Sequence, residues 1–415
     1  MLRPTRSHET ALMARERGRY DASRFGRSHG APRVNLPAIR RSTSDCAHGL
    51  LTQPNLKKGT DMLRSPLLLA LVTGAIALSV AGCGSDTEST TTPAGGDQTG
   101  TQPPEAPAAG TPGDGPGVVL AVSKLFLGDT NRDGSPNKAS GWKDYGFNLD
   151  RKLSTKESAD LCKPAGGGAP SSVYPDGNGG IDNSFGKNIL PIILGLAPDA
   201  STQINDSVAQ GAFTIMLDVQ KLGSATVYNP LTTKLYAGGD LGMAPKFDGT
   251  DMWPVRPELL NDPTDIGSSK VVFGTSYVVD DTWVSGSAAP LDLSLSVAGF
   301  SLKLTIGSAI IAMKLDPDHQ GATGGTIAGI IDTESFIEEL RKVAGNFDAG
   351  LCMGSTFDGL ANQLRAASDI MKDGSQDASK TCDGISIGLG FDAGAVQLGA
   401  IGEPSVPGED PCAPM

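Results

Sequence analysis

Leu291-Asp-Leu293-Ser-Leu295-Ser-Val297 and Phe300-Ser-Leu302-Lys-Leu304-Thr-Ile306 alternate apolar and polar residues on either side of Ala298-Gly299. Successive side chains of a strand point to opposite faces, so each run buries one face, and the short connection between them predicts an antiparallel hairpin. Further strand-like runs lie at Val118 to Phe126, Gly211 to Val219, Val271 to Val279, Ile310 to Leu315, Thr326 to Ile331 and Ile385 to Phe391. Two segments carry the helical period instead. Thr333 to Ala344, capped at Asp332 or Thr333, places Phe336, Ile337, Leu340, Val343 and Ala344 on one face and stops at Gly345. Phe357 to Lys372 repeats Leu360, Leu364, Ala367 and Met371 before Gly374. Ser154-x-x-Glu157 has the form of a capping box and predicts a short helix there. Many strands with few interposed helices predict a mainly β fold. The expected architecture is an antiparallel β-sandwich-like domain with a short helical insertion, over residues 118–403, followed by a tail at 404–415.

Residues 84–117 contain no aromatic residue, Leu, Ile or Val, only Gly, Pro, Thr, Ser, Ala, Gln and acidic residues. Such a composition cannot bury a core and predicts a disordered tether. Ahead of it, Met62 to Cys83 carries Arg64, an apolar stretch from Leu67 to Val80, and Val80-Ala81-Gly82 before Cys83. The apolar stretch is short of the roughly 20 residues that cross a bilayer core. The segment resembles a bacterial lipoprotein signal with its lipobox. That resemblance implies a signal peptide at 62–82, cleavage before Cys83, diacylation of the Cys83 thiol and a third acyl chain on the new amino terminus. With Gly84 rather than Asp in the next position, it also implies passage to the outer membrane, on its periplasmic face or at the cell surface. Residues 1–61 are rich in Arg, lack any apolar period, and read as a disordered upstream mis-start.

Thirteen of the 34 Lys/Arg and five of the 46 Asp/Glu precede Cys83, so the expected mature chain carries a net charge of about −20. An acidic exported domain does not bind nucleic acid; the expected partners are the membrane, through the lipid, and a protein or glycan ligand. Beyond Cys46 and Cys83 there remain Cys162, Cys352, Cys382 and Cys412. Four cysteines in an oxidising compartment predict two disulfides out of three possible connectivities; Cys352 with Cys382 and Cys162 with Cys412 is the pairing favoured here. No Cys-x-x-Cys occurs, which argues against a thiolate zinc site.

Only His319 follows the signal, in Asp316-Pro-Asp-His319, which excludes a multi-histidine metal site and leaves a serine triad a single histidine to use. Gly384-Ile-Ser386-Ile-Gly388 has the form of the hydrolase nucleophile elbow, but a strand-like run continues through it and His319 precedes the serine. Gly388-Leu-Gly390-Phe-Asp-Ala393 fits a loose dinucleotide pattern without a βαβ unit around it; glycines in a crowded strand explain it better.

Two loops are dense in oxygen ligands: Asp129-Thr-Asn131-Arg-Asp133-Gly134 and Asp176-Gly-Asn178-Gly-Gly-Ile-Asp182. Carboxylates and amides at alternate positions, with Gly letting the loop curl, suit a hard cation that wants six to eight oxygens. Asp129, Asn131, Asp133, Asp176, Asn178 and Asp182 are therefore candidate Ca²⁺ ligands. The first loop resembles the opening of an EF-hand, a resemblance that ends at the twelfth position, where Ser140 replaces the bidentate Glu. Trp142, Tyr145 and Phe147, with Trp253 and Trp283, are candidates for stacking on sugar rings or for anchoring the core. The expected function is an envelope-anchored lipoprotein whose β-rich domain binds or supports, with Ca²⁺ as a candidate stabiliser and no catalytic residue assigned. The alternatives are an exported carboxylate-based hydrolase and a lipid- or lipoprotein-handling factor, the latter suggested by the apolar run Ile189 to Leu196.

Overall fold

The strand runs are sections of one sheet that closes on itself. The computed structural model describes residues 100–404 except 109, 298, 299 and 353, together with 411 and 412. All of these belong to one compact unit, residues 88–415. Its strands are β1 (Val118–Phe126), β2 (Thr214–Gln220), β3 (Tyr228–Gly238), β4 (Asp248–Val255), β5 (Val271–Val279), β6 (Thr282–Val284), β7 (Ala289–Val297), β8 (Phe300–Leu315), β9 (Gly321–Asp332) and β10 (Gly384–Ile401). Eight of them, in the order β1-β2-β3-β5-β6-β8-β9-β10, pair antiparallel around a full circuit, since β10 returns to β1. The fold is mainly β, as expected, and the two layers of a sandwich here run into one another. Outside the circuit, β4 lies parallel to the end of β10, and β7 pairs with the first half of β8.

Alternation decides which residues fill the circuit. Along β10, Ile385, Ile387, Leu389, Phe391, Ala393 and Ala395 join the main core, while Ser386, Gly388 and Gly390 between them belong to the opposite face. Trp283 and Phe273 meet edge to face at 6.3 Å in the same core, and the indole N–H of Trp283 donates to Thr233 Oγ1 at 3.2 Å. A second apolar cluster lies where β4 covers β1 to β3: Ala121, Met216, Tyr236, Trp253, Val255 and Leu260. The Trp253 indole N–H donates to Gly239 O at 2.7 Å.

Helices enter at two points. Between β1 and β2 come α1 (Pro170–Val173), a π-helical turn (Phe185–Ile189) running into α2 (Leu190–Leu196), and α3 (Ala200–Ala209). Between β9 and β10 come α4 (Thr333–Phe347) and α5 (Ser355–Arg365). The expected cap of α4 is present: Asp332 accepts from Ser335 N at 2.9 Å. The helix continues through Gly345 to Phe347. In contrast, α5 ends at Arg365 rather than Lys372, because the next residues leave it to hold β10, with Asp369 N donating to Gly384 O. No helix forms at Ser154; its backbone N–H donates to Asp176 Oδ2 at 2.5 Å, so the segment is drawn into a loop.

The expected tether divides. From Gly100 onward it lies along the domain as a strap that needs no apolar side chains, because backbone groups hold it. Thr101 N donates to Gly179 O, Tyr277 Oη to Pro104 O, Asn229 Nδ2 to Pro107 O, and Gly115 N and Gly117 N to the carbonyls of Lys221 and Leu222. The readings of residues 1–61, of the signal, of Cys83 and of 84–99 lie outside the described residues.

Among the described residues two disulfides form, but not in the expected pairing. Cys162 bonds Cys382 and Cys352 bonds Cys412. Cys162 is brought to Cys382 by reciprocal bonds, Lys163 N to Lys380 O at 2.8 Å and Cys382 N to Lys163 O at 2.9 Å. Non-reducing peptide mapping is expected to recover those two linked pairs; a Cys352–Cys382 peptide would contradict the fold. Truncating Trp283 to Ala should cost about 3–5 kcal/mol in denaturant unfolding, because it empties the middle of the circuit and removes the indole N–H that donates to Thr233 Oγ1.

Candidate functional site

Four aspartates far apart in sequence converge outside β10. Asp369, on the segment after α5, accepts from Ser386 N at 2.8 Å and from Ser386 Oγ at 2.5 Å. Ser386 Oγ in turn accepts from Ser184 N at 2.8 Å, and Ser184 Oγ donates to Ala367 O at 2.6 Å. Asp182 Oδ2 accepts from Leu149 N at 2.6 Å and Asp150 N at 3.3 Å. Asp150 accepts from Lys152 N and from Gln376 Nε2, both at 2.8 Å. With Asp176 on Ser154 N, the four carboxylates tie the loops at 148–154, 175–184 and 366–376 to the barrel wall.

Burial and mutual repulsion set their protonation. Burial, and then the charges of Asp150 and Asp369, push Asp176 up to about 8. Burial pushes Asp369 up to about 7 against the hydrogen bonds from Ser386. Asp182 is moved well above the ordinary carboxylate range by burial and then by Asp150, Asp176 and Asp369. Asp150 is raised too, chiefly by burial. Lys187, whose Nζ donates to Pro175 O at 2.7 Å, is lowered to about 8 by burial, although Asp369 and Asp176 pull the other way. Acids and a base poised near neutrality are what proton transfer requires. Here, however, the bonds just described aim the carboxylates at backbone amides, at the Gln376 side-chain amide and at one strand hydroxyl, so the cluster works as a clamp.

Of the six candidate Ca²⁺ ligands, Asp176 and Asp182 join this cluster, while Asn178 turns to Asp144, its Nδ2 donating to Oδ1 at 2.6 Å. In the first loop Asp133 accepts from Ser135 N and Oγ, and Asn131 Oδ1 accepts from Asn137 Nδ2. Asp129 contributes its carbonyl to Asn137 N. These are the bonds of a self-closing polar turn. Among the described residues, no group of three or more His, Cys, Asp or Glu is disposed to hold a metal ion.

Ser386 is the third residue of β10, fully buried, and the strand runs on for fifteen residues past it with no turn and no following helix, so it is not a nucleophile elbow. The glycines on either side of Leu389 have a packing reason. A Cβ on Gly388 would lie 2.2 Å from Tyr145 O, and one on Gly390 2.3 Å from the Tyr145 ring. Trp142, Tyr145, Phe147, Trp253 and Trp283 are all buried, which leaves none of them free to stack on a sugar.

His319 lies at a cleft of about 420 Å³ between the strap, the β2–β3 loop and the β8–β9 turn. It is buried and left-handed (φ 56°). Its Nδ1 is 2.7 Å from Gly223 O, an acceptor, so this nitrogen carries a proton; Nε2 faces Asp281 Oδ1 at 3.4 Å. Tyr228 Oη donates to Asp114 Oδ1 at 3.1 Å and accepts from Ala225 N at 3.1 Å. Asp318 Oδ1 accepts from Gln320 N at 3.2 Å. Val118, Leu222, Pro116 and Ala225 supply apolar wall.

Compared with protein-family models, curated proteins and solved structures, the chain matches none.

The cluster makes stability depend on pH with a definite sign. Aspartates of the unfolded chain ionise near 3.8, whereas Asp369 and Asp176 hold their protons to about 7 and about 8 when folded. The native state thus binds more protons across that window, and stability falls as pH rises from about 4 to about 8. Above about 8 the slope reverses, because Lys187 has lost its proton in the folded chain and keeps it to 10.5 in the unfolded one. Urea unfolding from pH 5 to 10 is expected to show a minimum near 8, made shallower by Asp176→Asn. A flat profile would remove the clamp.

Proposed function

We propose that this protein is a lipoprotein of the bacterial cell envelope, held by acyl chains on Cys83, whose closed β domain is a binding module. The observation that carries the reading is Val80-Ala81-Gly82-Cys83 at the end of the apolar run from Leu67. Two or three acyl chains, each methylene worth about 0.8 kcal/mol when buried, hold a protein at a bilayer durably where one holds it marginally. No helix among the described residues is long and apolar enough to cross a membrane, so the lipid is the anchor proposed.

What supports binding as the activity is the contrast between the two polar sites. The carboxylate cluster is engaged in holding loops, whereas the cleft beside His319 opens to solvent and is lined by polar groups on a rigid frame. The circuit's interior is occupied by Trp283, Phe273, Phe391 and their neighbours, which favours a surface ligand over a lipid carried inside. Sixteen residues, 84–99, separate Cys83 from the strap at Gly100, a reach of at most about 55 Å.

The test is intact-mass spectrometry of the protein purified from native membranes. The expected species begins at an acylated Cys83, and Cys83→Ser should move the protein from the detergent phase to the aqueous phase. An unacylated chain that retains residues 62–82 would overturn the proposal.

A further inference from the structure

We propose that the cleft beside His319 binds a small organic cation, a primary amine or a guanidinium carried on a hydrocarbon stem. The proposal deepens the reading of the domain as a binding module and rests on it. Charge comes first: Asp114 and Asp318 line the cleft, and no lysine or arginine does. Each carboxylate has one oxygen held by the protein, Asp114 Oδ1 by Tyr228 Oη and Asp318 Oδ1 by Gln320 N. Those bonds orient the two groups without neutralising them, and both side chains are exposed at the rim. A cation entering the cleft meets pre-oriented acceptors of the kind that make charge-assisted hydrogen bonds.

The floor chooses among cations. His319 has one nitrogen on Gly223 O and the other toward Asp281, so it braces two walls and does not compete for the ligand. Val118, Leu222 and Pro116 give a hard, hydrated metal ion nothing to coordinate, whereas methylene groups gain from them. About 420 Å³ leaves room for a diamine or an alkylguanidine with its water. Gly223 lets the Tyr228–Asp114 pair close on the β2–β3 loop: a Cβ there would lie 2.5 Å from Tyr228 Oη and 2.9 Å from Asp114 Oδ1.

Isothermal titration of the full mature protein in detergent, with 1,5-diaminopentane and with agmatine, tests this. Glutarate and Ca²⁺ serve as controls. Saturable binding of at least one amine is expected below about 10 mM, weakened about tenfold or more by Asp114→Asn/Asp318→Asn and unchanged by Asp373→Asn, a remote exposed carboxylate. Both substituted cleft residues are exposed, and equal melting temperatures would show that the fold is intact. No saturation with either amine, equal weakening by the remote variant, or tighter binding of Ca²⁺ would each overturn the proposal. The mass of the Cys83 peptide, read on the same sample, shows separately whether the lipoprotein reading stands.

Discussion

Closure of the hydrogen-bonded circuit between β1 and β10 is the constraint on which the rest of this structure depends. β1 pairs with β2 through Val118 to Ala121 and with β10 from Val119 to Phe126, and beyond Ala121 its other side is met by side chains, Thr214 Oγ1 donating to Val122 O and Asn205 bonding Leu125 N and O. Once the seam is made, every second residue of eight strands faces a shared interior. The helices are then pressed on that core from the two interruptions between β1 and β2 and between β9 and β10. The long β10 also serves three neighbours in turn, β9, β1 and β4, which explains why so many loops are anchored to it.

Both polar sites are consequences of that frame. Ser386, on the outward face of β10, is where Asp369 and Ser184 meet the wall, and the repelling carboxylates nearby are held together because each has a backbone N–H to accept from. The cleft forms where the strap ends and β1 begins, against two turns that His319 links. A buried histidine set between Gly223 O and Asp281 fixes a distance between walls, and the acidic rim of Asp114 and Asp318 is then presented beside it.

Much of the barrel was legible from alternation alone. β1 and β5 begin and end where the apolar pattern places them, and the β7–β8 hairpin has the register the sequence implies, Leu293 opposite Leu304. β3 escaped because Tyr228-Asn-Pro-Leu-Thr-Thr-Lys-Leu-Tyr carries Pro230 and a polar residue, Thr233, inward, where it serves Trp283 instead of solvent. α2 has no polar face to give it a period, and α3 marks its buried side with only Ala200, Ile204 and Val208. The strap lacked any apolar signal because its partners are carbonyls and amides. Of the carboxylate cluster, Asp176 and Asp182 stood out as an oxygen-rich loop; Asp150 and Asp369 lie more distant in the chain, and no local spacing announces them. The cleft was invisible for the same reason, since Asp114, Tyr228 and His319 come from a linker, an unrecognised strand and a turn.

Hydrogen–deuterium exchange at the β1–β10 seam tests the closed circuit most directly. With β1 paired on both sides from Val119 to Ala121 and on the β10 side as far as Phe126, the amides of Val119 to Ala121 and those of Val122 to Phe126 that face β10 should exchange as slowly as those of β9, and so should Gly390 to Val396 of β10. Rapid exchange at Val119 to Ala121, or at the β1 amides that face β10, would contradict closure and with it the account of the frame that carries both sites.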